Sequence, residues 1–197
     1  MLREERVISL GGTVDCRPSV ATETYAHDMQ IMEEMNAELR GVIIDLTSPG
    51  EKTIYQLPYN NETSGGGEIS NRIMVFRPEA LTQKDSLAEI GFFGTMKNNL
   101  SVQDREALAE GDEKIRDELA QTSVLSYSSR KLSSGQWANV VVLPSIKSIA
   151  EISGTSTHHN VVIGLAHNYA SIAIHRVSRP GGLFSEAPLE RISTKSF

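Results

Sequence analysis

The chain has 197 residues, of which 39% are hydrophobic and 22% charged, and it carries a net charge of −6. A chain of this size suits one large domain or two small ones and buries a core without covalent staples. The negative balance argues against non-specific binding to nucleic acid or to an anionic membrane. No run of about 18 apolar residues occurs, so no membrane-spanning helix is expected. The first residues, Met1 to Arg6, lack the apolar centre of a secretion signal. Cys16 is the single cysteine, which excludes an internal disulfide. A cytoplasmic setting is expected from these features together.

Residues 6–10 read as a short strand stopped by Gly11 and Gly12. A helix is predicted from Thr22 or Thr24 to Arg40, with Met29, Met32, Met35 and Leu39 at helical spacing. Residues 41–47 read as a buried strand, Pro49 and Gly50 as a turn, and residues 53–57 as the hairpin partner. The polar, glycine-rich run 60–67 reads as a loop, and residues 69–76 as another strand.

The second half begins with a strand at 87–96. Ser101 then caps a helix, with Asp104 three residues on completing the cap and Leu108, Ile115 and Leu119 forming its apolar stripe. Strands at 124–130 and 137–143 flank Ser133, Ser134 and Gly135. A helix is predicted over 145–166, weakened by Gly154 and Gly164, and a last strand over 171–177.

This second half has the order β-α-β-β-α-β, the ferredoxin-like pattern of an α+β fold with an antiparallel sheet. The first half has β-α-β-β and a further strand, without the second helix. The expected organisation is therefore a degenerate ferredoxin-like half at 1–80, a complete half at 85–183 and a C-terminal tail at 184–197. A linker is expected near residues 78–85. The first half is expected to supply a second sheet, so that the pair closes as an α+β barrel.

The segment Ala166, His167, Asn168, Tyr169, followed by the strand from Ser171 to Arg176 and by Pro180 to Leu183, resembles the dimeric α+β barrel superfamily. That group includes small stress-responsive barrel proteins, antibiotic-biosynthesis monooxygenases and chlorite-dismutase-like haem proteins. The resemblance covers about residues 85–183. It implies four-stranded sheets whose concave faces enclose a ligand, paired between two chains or between two halves of one chain. Members include monooxygenases, cyclases, lyases and binding proteins, so the resemblance does not select a reaction.

His175 is the leading catalytic candidate. Side chains alternate along a strand, so Ala173, His175 and Val177 share one face and Ile172 and Ile174 the other. If the isoleucines pack under helices, His175 faces a cavity, where an imidazole serves as acid or base near neutral pH. The competing reading is a histidine hydrogen-bonded within an interface. Phe93, Trp137, Asn139 and Tyr169 are the candidate substrate-binding residues, with Asn139 as the polar group that orients a ligand in an apolar pocket. Arg130 and Arg176 are candidate anion ligands, although single arginines at strand ends are usually solvated.

A haem protein would need one helical histidine facing an apolar cavity, and His159 or His167 would serve. The competing role for His167 is capping a helix C-terminus. Adjacent His158 and His159 diverge by about 100° on a helix and do not share a zinc ion easily. Ser64 to Gly67 lacks the lysine and hydroxyl of a phosphate loop. No basic and aromatic RNA-binding pattern lies on the strands.

Three functional readings follow. One is a cofactor-independent enzyme of oxygenase, lyase or cyclase type, using His175 on a small apolar or aromatic molecule. Another is a haem-binding protein. The last is a non-catalytic, dimeric ligand-binding module. A homodimer is expected through the open sheet face, with no nucleic-acid or membrane partner.

Overall fold

The computed structural model describes residues 20–46, 53–58, 70–153 and 164–197. The described residues begin with helix α1, Val20–Asp45, followed by strands β1, Thr53–Pro58, and β2, Ser70–Val75. A short helix α2, Pro78–Gln83, leads into β3, Ser86–Met96, and helix α3, Val102–Gln121. Strands β4, Ser126–Lys131, and β5, Gln136–Leu143, precede the short helix α4, Ser148–Ser153. A 3₁₀ turn at Ala166–Asn168 enters β6, Tyr169–Pro180, and β7, Glu190–Ser196, ends the chain.

All described strands join one antiparallel sheet in the order β1-β2-β4-β5-β3-β6-β7. The central four, β4-β5-β3-β6, with α3 after β3 and α4 after β5, reproduce the ferredoxin-like order predicted for the second half. The fold is α+β. The α3 cap forms as expected: the Ser101 hydroxyl accepts from the Asp104 N–H at 3.1 Å, and Asp104 accepts from the Ser101 N–H at 3.0 Å. The Ser101 hydroxyl also donates to Asp104 Oδ2 at 2.7 Å, and this bond, followed by the one from the Ser101 N–H, holds the Asp104 carboxyl below its ordinary range.

Strand pairing sorts the side chains into two faces, because directly opposed residues project to the same side. One face carries Leu87, Glu89, Gly91 and Phe93 of β3, Ala138, Val140 and Val142 of β5, and His175, Val177 and Arg179 of β6. Helix α1 covers it with Ile31, Met32, Met35 and Leu39. Each such side chain contributes about 1.5–3 kcal/mol on burial. Gly91 makes room for the helix: a Cβ there would sit 2.6 Å from the Met32 sulfur. The other face carries Ala88, Tyr127, Leu143 and, partly buried, Ile90 and Val141. It packs under Ile115 and Leu119 of α3 and Ile149 and Ile152 of α4.

Several expectations are corrected. Residues 41–45 are not a strand but the last turns of α1. Leu39, Val42, Ile43 and Leu46 are spaced i, i+3, i+4, i+7, and all four join the core under the sheet. The β-branched run suggested a strand, and burial of this helical stripe overrode that local preference. The first half supplies no second sheet among the described residues, since β1 and β2 extend the same sheet beside β4. The sheet face expected to open onto a partner or a cavity is filled by α1.

The expected linker contains α2, whose Leu81 is fully buried. The expected tail contains β7, which pairs with β6. The predicted strand at 6–10, the Pro49–Gly50 turn, the loop at 60–67, Cys16, His158 and His159 lie outside the described residues, as does the middle of the helix predicted over 145–166. Among the described residues no helix is long and apolar enough to cross a membrane.

Candidate functional site

The sequence-predicted site residues divide between the two faces. Phe93 and His175 lie together on the α1 side, with ring centroids 5.5 Å apart. Asn139 pairs directly with Phe92, not Phe93, and so belongs with Trp137 on the α3 side. Tyr169 is also on the α3 side, its ring meeting Phe92 edge-on at 5.5 Å. The set does not surround one cavity. Alternation within each strand was read correctly, but the facing of β5 relative to β3 depends on the pairing register, which no single strand carries.

His175 is 2% exposed, and its partner Asp28 on α1 is 1% exposed. Its Nε2 is 2.8 Å from Asp28 Oδ2, and its Nδ1 is 3.1 Å from Thr194 Oγ1 on β7. Tyr25 of α1 packs edge-on against the imidazole at 5.2 Å. Both ring nitrogens are therefore engaged within the protein, and the ring bridges α1, β6 and β7.

A second polar cluster lies further along the same helix. Arg179 donates from Nε to Glu89 at 2.6 Å and from a terminal nitrogen to Glu33 at 3.0 Å, while Asn36 donates to the other Glu89 oxygen at 2.9 Å. Burial pushes the Glu89 carboxyl up, and Arg179 and the hydrogen bonds oppose that shift. Arg130 of β4 completes the pattern, reaching Glu38 at 2.6 Å and Glu34 at 3.5 Å. Acidic and amide groups along α1 thus match the polar groups on the sheet one by one, and these groups hold the helix.

The open space lies on the other face. A cavity of about 200 Å³ sits between the sheet and α3. Its floor is Ile90, Phe92, Val141, Ile172 and Ile174, and Leu108, Ile115 and Leu119 of α3 form its roof. Polar groups enter from several sides: Tyr127, Asn139, Tyr169, Asp112 and Arg176. The Tyr127 hydroxyl donates to Asn139 Oδ1 at 3.2 Å, which leaves the Asn139 NH₂ as a donor.

Burial, with the nearby Asp112 charge as a smaller cause, pushes the Tyr127 phenol up to about 12, so it stays a neutral donor at physiological pH. Burial raises Tyr169 in the same direction. Asp112 is held by Arg72 at 2.9 Å and Arg116 at 3.2 Å. Gly94 lets Tyr169 lie across β3, because a Cβ there would come within 2.6 Å of the Tyr169 ring.

Of the predicted residues, Asn139 and Tyr169 line this cavity and Trp137, Phe93 and His175 do not. His167 is also outside its lining. Its Nδ1 is 2.7 Å from the Gly164 carbonyl, its Nε2 is 4.0 Å from Asp104, and its side chain is 67% exposed. Ile90, Phe92, Ile172 and Ile174 also line the cavity, although the sequence suggested for Ile172 and Ile174 only that they pack under helices. They do face the helices, and α3 stands off far enough to leave space between. Among the described residues no cluster of three His, Cys, Asp or Glu side chains could hold a metal ion.

No protein-family model and no curated protein matches the chain. Solved structures do. A candidate monooxygenase from Lactobacillus acidophilus NCFM is 10% identical, with a TM-score of 0.40 over 57% of this chain and 47% of its own. The chain thus spans about half the length of that protein. A dimeric protein of unknown function and ferredoxin-like fold from Bacteroides fragilis NCTC 9343 is 13% identical, with a TM-score of 0.38 over 48% of this chain and 95% of its own. A variant of SnoaB, a cofactor-independent oxygenase from Streptomyces nogalater, is 6% identical, with a TM-score of 0.35 over 49% of this chain and 93% of its own. Scores this low carry no functional argument, and the ferredoxin-like assignment rests on the strand order itself.

Proposed function

We propose that the protein binds a small, mainly apolar molecule in the cavity between the sheet and α3, and that His175 serves to hold α1 rather than to catalyse. The observation that carries this reading is the cavity: an apolar floor and roof with a few polar groups converging on it, as ligand sites have. His175, by contrast, has both nitrogens occupied and borders no described space. A volume of about 200 Å³ compares with the ~150 Å³ apolar cavity that accepts a benzene ring. One aromatic ring with a small substituent therefore fits.

An enzyme of the cofactor-independent type is the second reading, favoured by the donors in the cavity. Asn139 and Tyr169 are placed to stabilise negative charge developing on a substrate oxygen. An acid–base mechanism is less well supported, because Tyr127 stays protonated and Asp112 is tied to two arginines. Self-association through the α1-covered face forms no part of this proposal, since α1 already buries it.

Filling the cavity tests the reading. Ile174→Trp is expected to abolish binding of a neutral aromatic probe such as indole, measured by ligand-observed NMR, while the circular dichroism spectrum stays native. Unchanged indole binding in a folded Ile174→Trp variant contradicts it.

A further inference from the structure

The cavity contains one cation whose charge nothing in the described protein balances. Arg72 and Arg116 share Asp112, Arg130 meets Glu34 and Glu38, and Arg179 meets Glu89 and Glu33. Arg40 and Arg77 donate to the Leu183 and Val124 carbonyls. Arg176 lines the cavity and has no such partner among the described residues. It is half-buried, so it is neither freely solvated nor sealed into the core.

The strand register locates this charge relative to the donors. Tyr127, Val141, Ile90 and Arg176 form one transverse row across β4, β5, β3 and β6, all on the α3 face. Asn139 lies two strands from Arg176, in the next row on that face, which also contains Phe92 and Ile174. Two inter-strand spacings and a two-residue step along the strand separate these positions by about 12 Å. The guanidinium therefore marks one end of the cavity, the Asn139 amide marks the other, and Ile90, Phe92 and Ile174 lie between.

Resting on the cavity reading above, we propose that the ligand is an aromatic monocarboxylate, with its acid on Arg176, its ring over the apolar floor and an oxygen at its far end on Asn139. A planar guanidinium matches a carboxylate through paired N–H donors. A site built to hold such a charge discriminates against a neutral analogue, because the cation otherwise stays half-desolvated without a partner.

The test uses 3-(4-hydroxyphenyl)propanoate and its primary amide, titrated by calorimetry into the wild-type chain and into Arg176→Gln. The wild type is expected to bind the acid at least tenfold more tightly than the amide. Arg176→Gln is expected to lose that preference by weakening the acid tenfold or more while holding the amide within about threefold, and retained amide binding shows that the variant is folded. Equal binding of acid and amide by the wild type, or an acid preference that survives in Arg176→Gln, overturns the proposal and leaves the cavity reading standing. Binding of neither compound, nor of indole, overturns both.

Discussion

The buried polar residues under α1 account for more of this molecule's behaviour than any exposed histidine. Removing one partner of a buried hydrogen bond leaves the other polar group unsatisfied, at a cost of about 1–3 kcal/mol. His175→Ala is therefore expected to lower unfolding stability by up to that amount, measured by urea denaturation, because Asp28 would remain buried without its partner. Any folded fraction should still bind indole. Loss of indole binding by a fully stable His175→Ala variant would instead make His175 part of the site.

The same logic gives a pH signature for Arg179. Burial raises Glu89 above its unfolded value, so the folded state holds that proton more tightly than the unfolded chain does. This contribution to stability is present below the unfolded pKa and falls away as pH rises through the folded one. Arg179 opposes the shift. Arg179→Leu should therefore push Glu89 further up and extend the loss of stability on raising pH toward neutrality. Urea midpoints at a series of pH values between 4 and 8 check this, and parallel wild-type and variant profiles would contradict it.

At the level of elements, much was legible and one kind of information was not. The α3 cap could be read because its signal is local, a serine followed three residues later by an aspartate. The order of β3, α3, β4, β5 and β6 was legible from strand runs and turn residues alone. The length of α1 was misread, because Val42, Ile43 and Ile44 favour a strand locally while the stripe through Leu39, Val42, Ile43 and Leu46 suits a helix on a sheet. Facing was the deeper difficulty: Asn139 and Phe93 were placed together although the ladder sets Asn139 beside Phe92.

Gly94 belongs to this scale too, since it was unremarkable in the sequence and gains a role only when Tyr169 crosses it. Gly94→Ala should displace the Tyr169 ring from β3. Relative to wild type it is expected to weaken indole binding and to lower the melting temperature by several degrees, at about 1–3 kcal/mol for overpacking. An unchanged melting temperature together with unchanged binding would show that the ring is not held there.

For the whole molecule, the ferredoxin-like unit of the second half is present, and the described residues of the first half neither repeat it nor close a barrel. Instead α1 lies over one face of a seven-stranded sheet, and β1, β2 and β7 widen it. The resemblance suggested an open concave face, and the acidic residues of α1 show why that face is not available: they are the partners of its arginines and its histidine. Nothing in the period of α1 announced those partners, because pairing between Asp28 and His175 spans most of the chain. The functional reading consequently moves from the face expected to hold a ligand to the opposite one, between sheet and α3.

That relocation is the central claim, and methyl-labelled NMR with bound indole tests it most directly. The account predicts intermolecular NOEs from indole to the methyl groups of Ile90, Leu108, Ile172 and Ile174 on the α3 side. NOEs confined to Met32, Val140 and Val177, around His175 on the α1 side, would contradict it.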